Sequence, residues 1–427
     1  MRIFTLVEAP INPVSIVSKP RVALDMYVLA QGVKTGVYRV CDELFPRLAS
    51  SSRLSVRYYI RRKTGPGALK YIQDRKLQGA IHHAPKNKPS QDADILLSPF
   101  GVAPSNWLRD RDVLHAHIIH DLIAINRPEF FTREAVQEVR SIMDSLGRDT
   151  VIFATSEFTK QDLLKYRDDL SPNQVRVIPL AAGDRFYACD SQEKKISVRN
   201  CYGIPEGEPY LLSLATLEIR KNLDNVIRAY LLYLERHSES RLHLVLAGGR
   251  GWKFEKIDEI MSSLAENRRK RIIFTGFVDD EDIAALYSDA LCFIYLSRYE
   301  GFGLPPLEAM ACGTPVICSN NSSLPEVVGD AGLMFDADDI ESVVKALDNI
   351  SSSERYRDKL INKGFERARQ FSWDRCARII EDTLLEAHEE FLRERSDLAD
   401  ISSLARRNNF FAQVYKKIMK KNRLDSK

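Results

Sequence analysis

Short apolar runs alternate with amphipathic stretches from one end of the chain to the other. In the first half RVALDMYVL, DILLSPF, LHAHIIHD, TVIFATS and VRVIPL read as strands. In the second half PYLLSLA, LHLVLAGG, RIIFTGF, ALCFIYL, PVICS and AGLMF do the same. Between them, NLDNVIRAYLLYLERH and DEDIAALYSDA carry apolar residues at helical spacing. Short strands separated by helices imply βαβ units and parallel sheets. The pattern occurs twice, with the polar stretch CDSQEKKISVRN from Cys189 to Asn200 between the halves. The expected fold class is α/β, with two doubly wound parallel-sheet domains over residues 1–188 and 189–372. A last helix is expected over 373–396. Its Cys376, Ile380, Leu384, Ala387 and Phe391 fall on one face, which must pack on something. Residues 397–427 are left as a basic tail.

Composition narrows the class. An apolar fraction of 44% and a charged fraction of 28% suit a globular protein. No apolar run approaches the roughly 20 residues needed to span a bilayer. Glu8, Pro10 and Pro13 break up the N-terminus, so a signal peptide is not expected. Seven cysteines, without a Cys-x-x-Cys pair, suit a reducing compartment, and a cytoplasmic location is expected. The net charge of +3 is uneven. Leu404 to Lys427 holds eight Lys or Arg and one acid, Asp425, so the body is mildly acidic. In that tail Phe411, Val414 and Ile418 recur at helical spacing among lysines. The pattern fits either peripheral contact with anionic membrane or a solvated end.

The chemistry concentrates in RYEGFGLPPLEAMACGTPVIC, Arg298 to Cys318, where seven residues separate Glu300 from Glu308. Gly301 and Gly303 permit a tight loop. Pro306 suits the first position of a helix, which Gly313 would stop. Glu300 then sits at the carboxyl end of a strand and Glu308 in the first turn of the next helix. In open α/β sheets that crevice is where ligands bind. A helix N-terminus suits phosphate, and two carboxylates accept from hydroxyls. Phosphate beside hydroxyls describes a nucleotide sugar.

The stretch resembles the Glu-x7-Glu signature of retaining GT-B glycosyltransferases of family 4. LATLEIRKNLDNVIRAY resembles that family's diphosphate-binding segment. HLVLAGGRGW, IIFTGFVDDEDIAALYSDA and PVICSNNSSLPEVVGDAGLMFDADD resemble its donor domain, and HIIHDLIAINRPEFF with VIFATSEFTKQDL its acceptor domain. The resemblance runs from about Arg21 to Ser396. It implies two Rossmann-like domains facing a central cleft, with the last helix packing back on the N-terminal one. It also implies roles. Arg220 and Lys221 grip the donor diphosphate from the cleft surface. Glu300 holds sugar hydroxyls or attacks the anomeric carbon. Glu308 holds the ribose, and the N–H groups of Phe302, Gly303 and Leu304 face sugar or phosphate. His120 and Asp121 match the acceptor-side His-Asp, and Gly32 and Gly36 match a glycine loop near the donor phosphate. Ala215 departs from the family's glycine.

Fixed cations at the diphosphate imply chemistry without a metal or other cofactor. The Asp-x-Asp pairs at 92/94, 110/112, 280/282 and 336/338 lie outside these motifs. Asp280 and Asp282 are expected to cap a helix, and the others to be solvated turns. His115 and His117 share a strand face without a completed ligand set. The function expected is transfer of a hexose from a nucleotide sugar to a polysaccharide or lipid-linked oligosaccharide. GDP-mannose leads on the HDL and RKN wording, ahead of UDP- and dTDP-sugars, and nucleic acid is not an expected partner. The alternatives are a nucleotide-sugar epimerase of the same fold and a catalytically silent sugar-binding subunit.

Overall fold

The computed structural model describes residues 18–83, 88–249, 251 and 255–407. The basic tail beyond Arg407, with Phe411, Val414 and Ile418, lies outside the described residues.

The N-terminal sheet holds seven strands: β1 (Arg21–Asp25), β2 (Ser55–Ile60), β3 (Ala80–His83), β4 (Ile95–Ser98), β5 (Leu114–Ile119), β6 (Val151–Ala154) and β7 (Val175–Val177). Their order is β3-β2-β1-β4-β5-β6-β7. The C-terminal sheet holds β8 (Tyr210–Leu214), β9 (His243–Ala247), β10 (Ile272–Gly276), β11 (Cys292–Tyr295), β12 (Val316–Ser319) and β13 (Leu333–Phe335), in the order β10-β9-β8-β11-β12-β13. Every pairing is parallel; Val22 faces Val56 on one side and Ile95 on the other, and Phe293 faces Leu212 and Val316. β4, β9, β11 and β12 are buried at every position. Helices cover both faces of such a sheet, so its strands read as continuous apolar runs. In each sheet the order in which strands are added reverses once, between β1 and β4 and between β8 and β11.

Two expectations need correction, on the last helix and on the helix after the glycine loop. The polar stretch between the halves is itself structured. Ser191 accepts from the Lys194 N–H and starts a helix, Gln192–Cys201. The last helix runs on past Ser396, spanning Trp373–Arg407. The helix after the glycine loop starts at Leu304, because Gly303 at φ 112 already turns the chain. Pro306 is therefore its third residue, and Glu308 lies in its second turn.

The two domains share apolar packing. Trp373, Cys376, Ile380 and Leu384 of the last helix join the N-terminal core formed by Leu24, Leu44 and Phe45. Phe302, Leu307 and Val327 reach into the same cluster from the C-terminal domain. Ion pairs follow the same seam: Arg47 with Asp374 at 2.8 Å and Arg53 with Asp382 at 2.5 Å. No helix among the described residues is long and apolar enough to cross a membrane.

Candidate functional site

Both sheets send the chain ends that follow β5, β6 and β11 to one seam. Gly301, just beyond β11, meets the N-terminal domain there. A Cβ at Gly301 would lie 2.0 Å from the His120 carbonyl oxygen, so only glycine allows the backbones to touch. The Gly301 carbonyl accepts from Ser156 Oγ at 2.6 Å, Thr159 Oγ1 at 3.0 Å and Thr155 Oγ1 at 3.3 Å. Ser323 Oγ donates to the carbonyls of Glu300 and Phe302, and the Glu300 N–H donates to Ser322 Oγ. At Gly303 a Cβ would come within 2.7 Å of the Leu324 side chain. Close approach of two backbones therefore requires glycine at 301, whereas at 303 it is the left-handed φ of 112 that favours it, since the end of the Leu324 side chain could shift. Phe302 is buried in the shared core, and Leu304 packs beside it.

Glu300 is the centre of the charged groups. Its Oε1 accepts from Arg220 Nη1 at 2.9 Å, Lys221 Nζ at 2.6 Å, Tyr295 OH at 2.8 Å and Ser297 Oγ at 2.6 Å. Among the described residues no hydrogen bond reaches Oε2. Burial pushes this carboxyl up, but Arg220 and Lys221 outweigh it and hold the group at about 2, so Glu300 is ionised at neutral pH. Arg220 also donates from Nη2 to Glu218 at 2.6 Å and from Nη1 to the Tyr299 carbonyl at 2.8 Å; its Nε is buried without a partner among the described residues. Burial and neighbouring Arg220 lower the Lys221 ammonium, and Glu300 opposes them. Sequence reasoning places both cations on an exposed cleft wall. Instead Lys221 is buried and Arg220 half-buried, in a single 3₁₀ turn before the helix Leu223–Arg236.

Glu308 is held apart from this cluster. It is 1% exposed; Oε1 accepts from Arg39 Nη1 at 2.9 Å and Oε2 from Tyr287 OH at 3.3 Å. Burial raises its carboxyl and Arg39 pulls the other way. Arg39 belongs to the N-terminal helix Gly36–Ala49, whose first residue is Gly36. A Cβ at Gly36 or Gly32 would meet nothing within 4 Å, so packing does not demand glycine at either; Gly32 does turn through φ 67. Arg39 and Tyr287 thus occupy one oxygen each of the Glu308 carboxylate.

His120 and Asp121 follow β5 on the N-terminal side of the seam. His120 Nε2 lies 2.8 Å from the Pro99 carbonyl. A carbonyl only accepts, so Nε2 carries the proton and Nδ1 is left as an acceptor. Burial lowers the imidazole to about 4, so it is neutral at neutral pH. Burial raises Asp121, partly offset by the Ile123 N–H and by Arg220. His117 spends its ring nitrogens near the carbonyls of Ile118 and Gly101, and no metal-binding group of three ligands occurs among the described residues. Asp280 and Asp282 do not cap the following helix with their side chains. Asp280 pairs with Lys34 and Arg185, and Asp282 with Lys194. Asp94 and Asp110 are not solvated turns either, since Asp94 pairs with Arg21 and Asp110 is 4% exposed.

A pH prediction follows from His120. Its folded value of about 4 lies below the usual 6.5. The unfolded chain therefore binds more protons between those values, and stability falls as pH drops from 6.5 towards 4. One such group contributes at most about 1.4 kcal/mol per pH unit, less for a half-buried ring. Urea unfolding of His120→Gln should show a shallower loss between pH 6.5 and 5 than the parent. Identical slopes would mean His120 does not titrate as placed.

Sequence reasoning finds Glu300, Arg220 and Lys221 together but misses Tyr295, Ser297, Glu218, Arg39 and Tyr287. Strand alternation carries a partial signal, since Tyr295 and Ser297 fall on one face at the strand's end. Nothing local points to Arg39, which belongs to the other domain.

The chain resembles known glycosyltransferases in sequence and in fold. The family model described as glycosyl transferases group 1 matches residues 194–367. The O-antigen chain mannosyltransferase B of Escherichia coli is 35% identical over 276 residues, which is 64% of this chain and 70% of that protein. The serotype-specific mannosyltransferase WbdA of Escherichia coli is 33% identical over 270 residues, 61% of this chain; the chain spans about a third, 32%, of its length. In fold, HepE of Anabaena, solved in complex with UDP-glucose, superposes with a TM-score of 0.65 at 15% identity, covering 86% of this chain and all of that one. With two doubly wound parallel sheets meeting at the Glu300 loop, and relatives of this kind, the chain belongs to the group 1 glycosyltransferases and has their GT-B fold.

Proposed function

We propose that this glycosyltransferase is a retaining, metal-independent mannosyltransferase. It takes mannose from GDP-mannose and places it on a hydroxyl of a growing polysaccharide or lipid-linked oligosaccharide, in the cytoplasm. The mannosyltransferases among its relatives support the sugar. The observation that carries the mechanism is Glu300, ionised and with Oε1 taken by four donors. A carboxylate so stabilised is a poor nucleophile, because its charge is already shared with two cations. Its second oxygen, Oε2, suits accepting from a hydroxyl of the donor sugar. In the favoured route the anomeric C–O bond to phosphate breaks. The acceptor oxygen bonds the same carbon on the same face, and its proton passes to the leaving phosphate oxygen. Arg220 and Lys221 meet the charge that develops on that phosphate. Neutral His120 offers Nδ1 to a sugar hydroxyl, and Glu308 takes the ribose.

The test offers purified protein GDP-mannose, UDP-glucose and dTDP-glucose in excess EDTA. It follows slow donor hydrolysis, thermal stabilisation and the anomeric configuration of product by NMR. GDP-mannose should be consumed and should raise the melting temperature most, with configuration kept. Preference for another donor would overturn the sugar assignment. An inverted product would overturn the mechanism. Loss of activity in EDTA, restored by manganese or magnesium, would overturn metal independence.

A further inference from the structure

Arg220 and Lys221 lie in a three-residue turn that ends in an unusual way. Asn222 follows them at φ 57, a left-handed conformation, and is fully buried. Non-glycine residues seldom hold that conformation unless their surroundings impose it. Here the side chain is fixed at both ends. Asn222 Nδ2 donates to the Ala337 carbonyl at 2.8 Å, and Oδ1 accepts from Arg298 Nη2 at 2.9 Å. Arg298 in turn grips Asp338 with two bonds, 2.9 and 2.8 Å, and Asn225 donates to the same carboxylate at 2.8 Å. The Arg298 N–H donates to the Arg220 carbonyl at 2.9 Å. Arg298 thus touches the turn that bears both cations, and it lies two residues before Glu300.

We propose that Asn222, Arg298 and Asp338 are positioning residues that set the spacing between the Arg220–Lys221 turn and Glu300. The proposal rests on the reading that this turn meets the donor phosphate. The loop that anchors them is itself ordered, since the Asp338 N–H donates to Asp336 and Asp339 caps the next helix at Ser342. The anchor is therefore the short loop that leads into the helix Ile340–Ser352. Two cations packed on one carboxylate oxygen tolerate little displacement, and a shift of about 1 Å can cost on the order of 10²-fold in rate. Asp338 is well suited to a test because its side chain is 59% exposed, so its removal leaves the core intact.

The experiment compares Asp338→Ala, Asp338→Asn, Arg298→Ala and Asn222→Gly with the parent, each alone and with Lys221→Ala. Steady-state rates with GDP-mannose and a mannan oligosaccharide are read beside the melting temperature. Asp338→Ala should lower kcat by about 10-fold with little change in the donor KM, an intermediate loss within the range that misplacement produces. Asp338→Asn, which keeps one acceptor for Arg298, should recover part of the loss. In the Lys221→Ala background the effect of Asp338→Ala should shrink to less than about twofold, the non-additivity of residues acting through one another. Asn222→Gly keeps the backbone angle, and should lose rate because it loses the side-chain bonds. A fall in melting temperature with kcat unchanged would make the three merely structural and overturn the proposal. So would losses that simply multiply with Lys221→Ala. If Lys221→Ala and Arg220→Ala keep parent activity, it is the phosphate reading that fails.

Discussion

Glu300→Gln is expected to lose about 10²–10³ in kcat, the scale for removing one preorganised electrostatic group from a transition state. The amide oxygen still accepts from Tyr295 and Ser297, but buried Lys221 loses its carboxylate, so the variant should also be less stable than the parent and its rate is read well below its melting temperature. What disappears is the charge that holds Arg220 and Lys221 in place and strengthens the bond from a sugar hydroxyl. The donor KM should move much less. Glu308→Gln provides the contrast. Its partners are Arg39 and Tyr287, on the far side of the loop. If its carboxylate takes ribose hydroxyls, donor and transition state weaken together, and KM rises more than kcat falls. Equal losses of kcat in both variants, with the donor KM unchanged, would mean that the two carboxylates do not divide the donor between them.

Lys221→Ala should fail in two ways at once. The ammonium is buried, with Nζ 2.6 Å from both Glu300 and Tyr295. Breaking a buried pair by removing one partner costs about 3–5 kcal/mol, because the other charge stays desolvated. Arg220 remains beside Glu300 and softens the loss, so the lower end is expected. Turnover should drop by about 10²–10³-fold as well. Urea unfolding and steady-state rates on one preparation separate the effects. An active, fully stable variant would remove Lys221 from both roles. The purely surface role expected from sequence predicts lost activity with normal stability, and the burial of Lys221 argues against it.

Among the described residues, eleven of the thirteen strands are legible as apolar runs, because central parallel strands are covered on both faces. The two that are not show why. β2 interleaves Arg57 and two tyrosines, and Tyr58 turns its hydroxyl to the Gln78 carbonyl, so the run looks polar. β3 is an edge strand and its Ile81 is 44% exposed, so it has little apolar signal to give. The start of the helix at Leu304 was misplaced because two prolines competed with a glycine as the turning point, and the positive φ of Gly303 decided it. At the site, the family resemblance brings Glu300 and the two cations to one donor site, and they follow the neighbouring strands β11 and β8. It could not place Arg39 against Glu308, because that contact depends on how one domain rests on the other.

The last helix carries a consequence for how the molecule is made. The strands of the first sheet leave the ribosome early, yet Trp373, Cys376, Ile380 and Leu384, which complete their core, are synthesised only after the whole second domain. Domains usually fold as units in order of synthesis. Here the nascent first domain must wait with an uncovered apolar face while its neighbour is translated. A gene fragment that stops at the end of β7 would inherit that exposed face permanently. A useful excision of the first domain would have to be discontinuous, splicing the terminal helix directly onto the early strands.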